Sequence, residues 1–534
     1  MANLETQARG EPAAALFRAW YNLRPRLVGE SLLGGAAAAV LVIAFRLVLD
    51  EAGRWRLLFL AWARSQSGGW APAVLILGGM AALAGWITRW APEAAGSGVP
   101  HVEAVLLEQR RLVWWRLIPV KFVASILAIS GGLSLGREGP SVQLGAAGGQ
   151  AVGRLLRRPY VEERYLITCG AGAGLAAAFN APLTGLVFVL EELRRNLSPY
   201  VFLSALTASV AAGIVTQHLL GLGPLLPLEL NKPLPPQALA VFVVLGAATG
   251  LLGVAFNAAL NLSLDLYGRL RSVPHWLHPG LAAVVGALIG YYFTPAVLGG
   301  GHALIERVLT ETDGVTFLVW LLLTKFVLTI LSCGSGVPGG LYLPILSIGA
   351  LTGSILGRLA TPFFPDLTGL TAALVVAGMA ATFTSVVRAP LTGIVLVLEL
   401  TASSSNLFFL LAGCLTAYLV AEGLKCLPMA EVFLERDRAG ALDPCTKHAA
   451  RGMTLVEVTV ESGSTLDRHL VREVEVPEDC LMLTIRRGSQ ELVPRGNTKI
   501  RAGDQVTFLL PRERAVEVMP QIRSLALCRM ASSE

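Results

Sequence analysis

The sequence predicts an all-α polytopic membrane protein built from two related halves with broken helices, followed by a small soluble α+β domain. Three observations carry that prediction. The 534-residue chain is 54% hydrophobic and only 15% charged, against about a quarter charged in soluble domains. Uncharged stretches recur at 31–45, 67–88, 201–228, 233–264, 279–305, 326–357, 367–387 and 402–421, and roughly 20 apolar residues span a bilayer as a helix. A set of motifs then returns about 200 residues after its first appearance.

The opening segment, residues 1–26, has no short apolar core before a small-residue cleavage site, so it does not read as a signal peptide. Arg9, Arg18, Arg24 and Arg26 precede the first span and favour a cytoplasmic N-terminus. The membrane body is expected over 27–437, with halves at 27–230 and 235–437. The first half carries GSGVP at 96–100, KFVASILAISGG from Lys121, GREGP at 136–140 and APLTGLVFVLEEL from Ala181. The second answers with KFVLTILSCGSG from Lys325, GSGVPGGLYLP at 334–344 and APLTGIVLVLELT from Ala389. The lysines lie 204 residues apart and the APLTG segments 208 apart. A linker is expected at 438–452, where the chain turns polar and carries Asp-Pro. From 453 to about 530, alternating apolar residues and Gly turns predict short strands, with "RERAVEVMPQIRSLA" as a helix.

The formal charge of +6 suits cytoplasm-facing loops and does not indicate a nucleic-acid partner. Seven scattered cysteines without a CxxC pair, and seven scattered histidines, give no disulfide framework, metal site or cofactor motif.

Repeated halves are usual in transporters, whose sites lie where helices break near the midplane. Broken backbone at membrane depth survives only when buried or lining a cavity. A helix N-terminus offers unpaired N–H groups and about half a positive charge. Several such termini aimed at one point make an anion site without a full cation. Glycines at the breaks let an anion approach the backbone, and Ser97 and Tyr342 add hydroxyl donors. Glu138 of GREGP is itself an anion, able to occupy such a site when ionised and leave it when protonated. Arg137 either concentrates anions at the mouth or anchors the loop. Glu191 and Glu399 are repeat mates, as are Lys121 and Lys325, which suits structural pairing. Glu192 is matched by Leu400 and is the better proton-path candidate, unless it faces water at the helix end.

With GSGVP, GREGP, the third break and APLTG-VLEE in order, residues 27–435 resemble the CLC family of chloride channels and chloride/proton antiporters, bacterial antiporters most closely. The resemblance implies the CLC fold of two inverted-topology repeats. It implies an anion site formed by Ser97, Gly98, Arg137, Gly139, Leu341 and Tyr342, an external gate at Glu138 and internal proton transfer at Glu192. Serine at 97 goes with chloride in the family. It further implies a homodimer in the plasma membrane of a prokaryote, carrying chloride ions and protons across a lipid bilayer. Two departures stand out. The family's GxFxP phenylalanine is Tyr342, and the tyrosine expected to close the inner side is Ala430. The tail resembles the C-terminal regulatory domain of RCK/TrkA proteins, which implies a cytoplasmic module with a small-molecule ligand and an effect on transport.

The leading expectation is chloride/proton exchange modulated by the tail, with compensation of Ala430 by the Tyr342 hydroxyl as a separate hypothesis. A passive chloride channel is kept open by Ala430, and an anion sensor reporting to the tail is a second alternative. An enzyme is not expected, since Ser97 and Ser141 have no histidine at matching depth.

Overall fold

A computed structural model describes residues 25–526, apart from 195–197, 222, 224–225, 227–233, 271, 365–368, 404–405, 441–452, 462, 478–479, 488–489 and 512–514. The expected N-terminal segment up to residue 24 and the linker from residue 441 thus lie outside the described residues. The chain divides into two compact units, one spanning Leu23–Leu434 and one holding the C-terminal residues from Glu435.

The first unit is helical throughout, and seven of its described helices are long and apolar enough to cross a membrane. Its first half runs α1 (Pro25–Ser65), α2 (Trp70–Thr88), α3 (Val99–Leu106), α4 (Trp114–Ser130), α5 (Glu138–Leu155), α6 (Tyr160–Phe179), α7 (Pro182–Phe188) and α8 (Pro199–Leu220). A wider π turn at Val189–Leu193 continues α7. The second half runs α9 (Leu239–Arg269), α10 (His278–Tyr292), α11 (His302–Thr310), α12 (Val315–Gly334), α13 (Tyr342–Ala360), α14 (Leu370–Val387), α15 (Pro390–Thr401) and α16 (Leu407–Gly423), with α17 (Met429–Gly440) after it. Every helix of the first half has its mate eight places on. The repeat spacing grows from 204 to 208 residues because the connection between α13 and α14 is longer than that between α5 and α6.

The same devices build both halves. A Cβ on Gly145 of α5 would come within 2.3 Å of the Gly170 carbonyl oxygen of α6, and one on Gly349 of α13 within 2.3 Å of the Gly378 carbonyl of α14. Only glycine permits such crossings, and close approach is what binds helices in lipid. Lys121 donates to the carbonyls of Ala94 and Gly96, both at 2.9 Å, and Lys325 to those of Val297 and Gly299 at 3.0 and 2.8 Å. Each lysine thereby satisfies the backbone of the irregular stretch before α3 or α11.

The halves also interlock. The Glu399 carboxylate accepts from the amides of Leu183 and Thr184 at 2.9 and 2.7 Å and from the Thr184 hydroxyl at 2.6 Å, capping α7. Glu191 does the same for α15, accepting from the amides of Leu391 and Thr392 at 3.0 and 2.6 Å and the Thr392 hydroxyl at 2.7 Å. The structural pairing expected of these mates is present, each half serving the other. A two-fold relation between inverted repeats produces this reciprocity.

The second unit is a four-stranded antiparallel sheet with strand order β1-β4-β2-β3. It comprises β1 (Met453–Thr459), β2 (Leu481–Arg487), β3 (Gln490–Leu492) and β4 (Gln505–Pro511), followed by α18 (Ala515–Ala526). Val456 pairs with Phe508 and Ile485 with Val506. With Leu510 and Ile522 these side chains form its core.

Candidate ion site

The breaks converge. Gly136 and Gly340 form an antiparallel bridge, each amide donating to the other's carbonyl at 2.7 Å. The Gly96 amide donates to the Gly336 carbonyl at 3.1 Å, and the Gly96 carbonyl accepts from the Gly339 amide at 3.2 Å. The starts of α3, α5 and α13 are thereby drawn together at the junction of the halves. Gly98 caps α3 in the left-handed region at φ 94°, where a Cβ would strike Gln143 of α5 at 2.7 Å. Gly139, second residue of α5, leaves only 2.6 Å between an added Cβ and the Ser97 hydroxyl, and 3.0 Å to the Gly340 Cα. Leu341 caps α13, and Tyr342 is that helix's first residue. Ser97, Gly98, Gly139, Leu341 and Tyr342 thus lie around one small region.

The polar groups there are buried and sparsely partnered. The Ser97 hydroxyl is buried without a hydrogen-bond partner. That arrangement costs about 1–3 kcal/mol unless an acceptor supplies the bond, so it fits an anion. Glu138 is fully buried. Its Oε2 lies 3.1 Å from where a Gly340 Cβ would stand and accepts the Leu343 amide at a long 3.5 Å, while Oε1 has no hydrogen-bond partner. The carboxylate occupies glycine-lined space at the start of α13. The amide that meets it belongs to Leu343, a residue absent from the expected set.

Arg137 caps α5 with its backbone, but its guanidinium leaves the cluster and pairs with Asp50 at 3.1 Å. It lines a cavity of about 730 Å³ together with Arg46, Arg54, Arg56 and His302. This anchors the loop and keeps a basic vestibule beside Glu138. The cationic side chain itself is held away from the central region.

Glu192 is buried rather than exposed at the end of its helix. It is only 5% exposed, and its Oε1 accepts a 2.5 Å hydrogen bond from the Tyr342 hydroxyl. The π turn that carries it has no counterpart in α15, which runs as a regular helix. A second cavity, about 390 Å³, reaches Glu192 and is lined by Glu191, Arg388, Tyr418, Glu422 and Glu431 among others. The last four were not anticipated, since they sit in ordinary-looking helix ends and no motif marks them. Ala430, where the inner hydroxyl was expected, is buried on α17. The Tyr342 hydroxyl, the hypothesised compensation for Ala430, donates to the Glu192 carboxylate.

A family model described as "Voltage gated chloride channel" matches residues 79–422, and one described as "TrkA-C domain" matches residues 455–522. The chain is 36% identical over 386 residues to an H(+)/Cl(-) exchange transporter ClcA of Vibrio parahaemolyticus, covering 70% of this chain and 82% of the relative. It is 36% identical over 378 residues to a ClcA of Salmonella typhimurium, covering 69% and 79%. Among solved structures, a slow cyanobacterial Cl-/H+ antiporter superposes with a TM-score of 0.76 at 32% identity, covering 79% of this chain and all of that one. A CLC-type fluoride/proton antiporter gives 0.64 at 25% identity, covering 76% and 97%.

Proposed function

The chain belongs to the voltage gated chloride channel family, and from that membership we propose that it exchanges chloride for protons across a prokaryotic plasma membrane. The observation that carries the reading is Glu138. It is a fully buried carboxylate among the helix starts, meeting the Leu343 amide of α13, with the nearby guanidinium committed elsewhere. Ionised, Glu138 competes with chloride for the donors at the junction. Protonated, it loses that attraction and withdraws, so a proton and an anion exchange places. Glu192, reached by its own cavity, takes protons from the other side. Ser97 donates to chloride, as do backbone amides around Gly98, Gly139, Leu341 and Tyr342.

Ala430 favours a second reading, a passive chloride channel, because no side-chain hydroxyl is available there to close the inner side. The tail is assigned a cytoplasmic, ligand-sensing role that modulates flux, and the protein is assigned a homodimeric state. The deciding experiment is paired chloride and proton flux in liposomes under a chloride gradient with voltage clamped. Uphill proton movement, lost in Glu192→Gln, is the expected result. Chloride flux without proton movement means a channel, and negligible flux of both means a sensor.

A further inference from the structure

We propose that the Tyr342 hydroxyl is the relay that carries the proton between Glu192 and the central site. The inference rests on the exchanger reading and adds a residue to it. Tyr342 is 1% exposed, and its ring packs edge-on against Phe383 at 4.9 Å and Phe188 at 6.5 Å between centroids. The ring is fixed, so the hydroxyl is held where it donates to Glu192. The next residue, Leu343, turns its amide to Glu138. Two consecutive residues at one helix start therefore contact both carboxylates, one by side chain and one by backbone. Repeat symmetry adds a second observation. Glu138 and Tyr342 are mates, each the first residue of its helix and each two residues after a member of the Gly136–Gly340 bridge. Glu138 reaches across to the start of α13, and Tyr342 reaches to the π turn beyond α7.

A hydroxyl donates one proton and accepts another at the same time. When Glu192 is ionised, Tyr342 donates to it. When a proton reaches Glu192, the carboxyl becomes a donor and the hydroxyl hydrogen turns toward the central site. The Glu192 proton then passes to the tyrosine oxygen as that oxygen's own proton leaves into the central site, where a water carries it to the Glu138 carboxylate. One O–H bond breaks and one forms at the tyrosine, which ends neutral. Glu192 ends ionised and Glu138 ends protonated. The new O–H points back at the ionised Glu192, which is the starting bond. Ala430 offers no alternative side-chain hydroxyl.

The test is Tyr342→Phe in the full chain, measured by paired chloride and proton flux in liposomes beside wild type and Glu192→Gln. The ring and its aromatic contacts remain, so only the hydroxyl is removed. Proton flux is expected to fall about tenfold or more relative to chloride flux, the scale of a lost proton-transfer group. The ratio of the two fluxes is the readout, because a merely structural role lowers both together. An unchanged ratio overturns the relay, and so does a proportional loss of both fluxes. Wild type without proton coupling overturns the exchanger reading and the relay with it. Coupling that is lost in Glu192→Gln but intact in Tyr342→Phe overturns the relay alone.

Discussion

Ser97 and Gly300 stand at equivalent points of the two halves, each before a left-handed glycine cap, Gly98 at φ 94° and Gly301 at φ 99°. Only one of them has a hydroxyl. The same contrast separates Glu138 from Tyr342 and Glu192 from Leu400, whereas Lys121 with Lys325 and Glu191 with Glu399 make matching bonds. Matched mates hold the frame, and the proposed pathway draws on the unmatched ones. Ser97→Ala should therefore weaken chloride binding by about tenfold or more, the worth of a hydrogen bond to a charged group, as read by isothermal titration. Its melting temperature should not fall, since the hydroxyl supports no other group; a lower melting temperature with unchanged affinity would make Ser97 structural. Ser97 and Glu138 were legible because glycines bracket them. The Tyr342–Glu192 bond was not, because it joins residues 150 apart and periodicity says nothing of where a ring points.

Among the elements, the breaks were readable from glycine, but α1 was not. The sequence offered an apolar stretch only at 31–45 before Arg46, Asp50, Glu51, Arg54 and Arg56, yet α1 is a single helix of 41 residues. Those charges are tolerated because they pair or face water. Arg46 lies 3.7 Å from Asp50, Arg54 lies 3.4 Å from Glu51, and Arg56 donates to the Ile129 carbonyl at 2.8 Å. The π turn was equally hidden, since before Glu192 the local sequence of α7 differs from that of α15 only by apolar exchanges, Leu186 for Ile394 and Phe188 for Leu396. The reciprocal caps make a direct prediction. Glu399→Ala leaves the Leu183 and Thr184 amides without their acceptor, at a cost of about 1–3 kcal/mol, and should lower the thermal midpoint in detergent. An unchanged midpoint would mean that lipid or water satisfies α7 equally well.

For the molecule as a whole, the boundary between membrane body and tail was visible as a change from apolar runs to alternation. The strand order was not, because β4 lies between β1 and β2 and such pairing is nonlocal. If the tail modulates transport, a chain ending after residue 440 should keep the chloride-to-proton ratio and change its absolute rate. Identical rates from full-length and shortened chains in the same liposomes would remove the tail from the mechanism.

The exchanged glutamates have a historical meaning. Each half lends the carboxylate that the other half's helix lacks, which is the contact pattern of identical subunits about a two-fold axis. A polypeptide of half this length would have met its own need by pairing with a second copy of itself. Such an ancestor could never have set Glu138 opposite Tyr342 or Ser97 opposite Gly300, because identical subunits carry identical residues. Carrying both halves in one chain lets the mates differ, Glu138 from Tyr342 and Ser97 from Gly300, so the two faces of the junction are not alike.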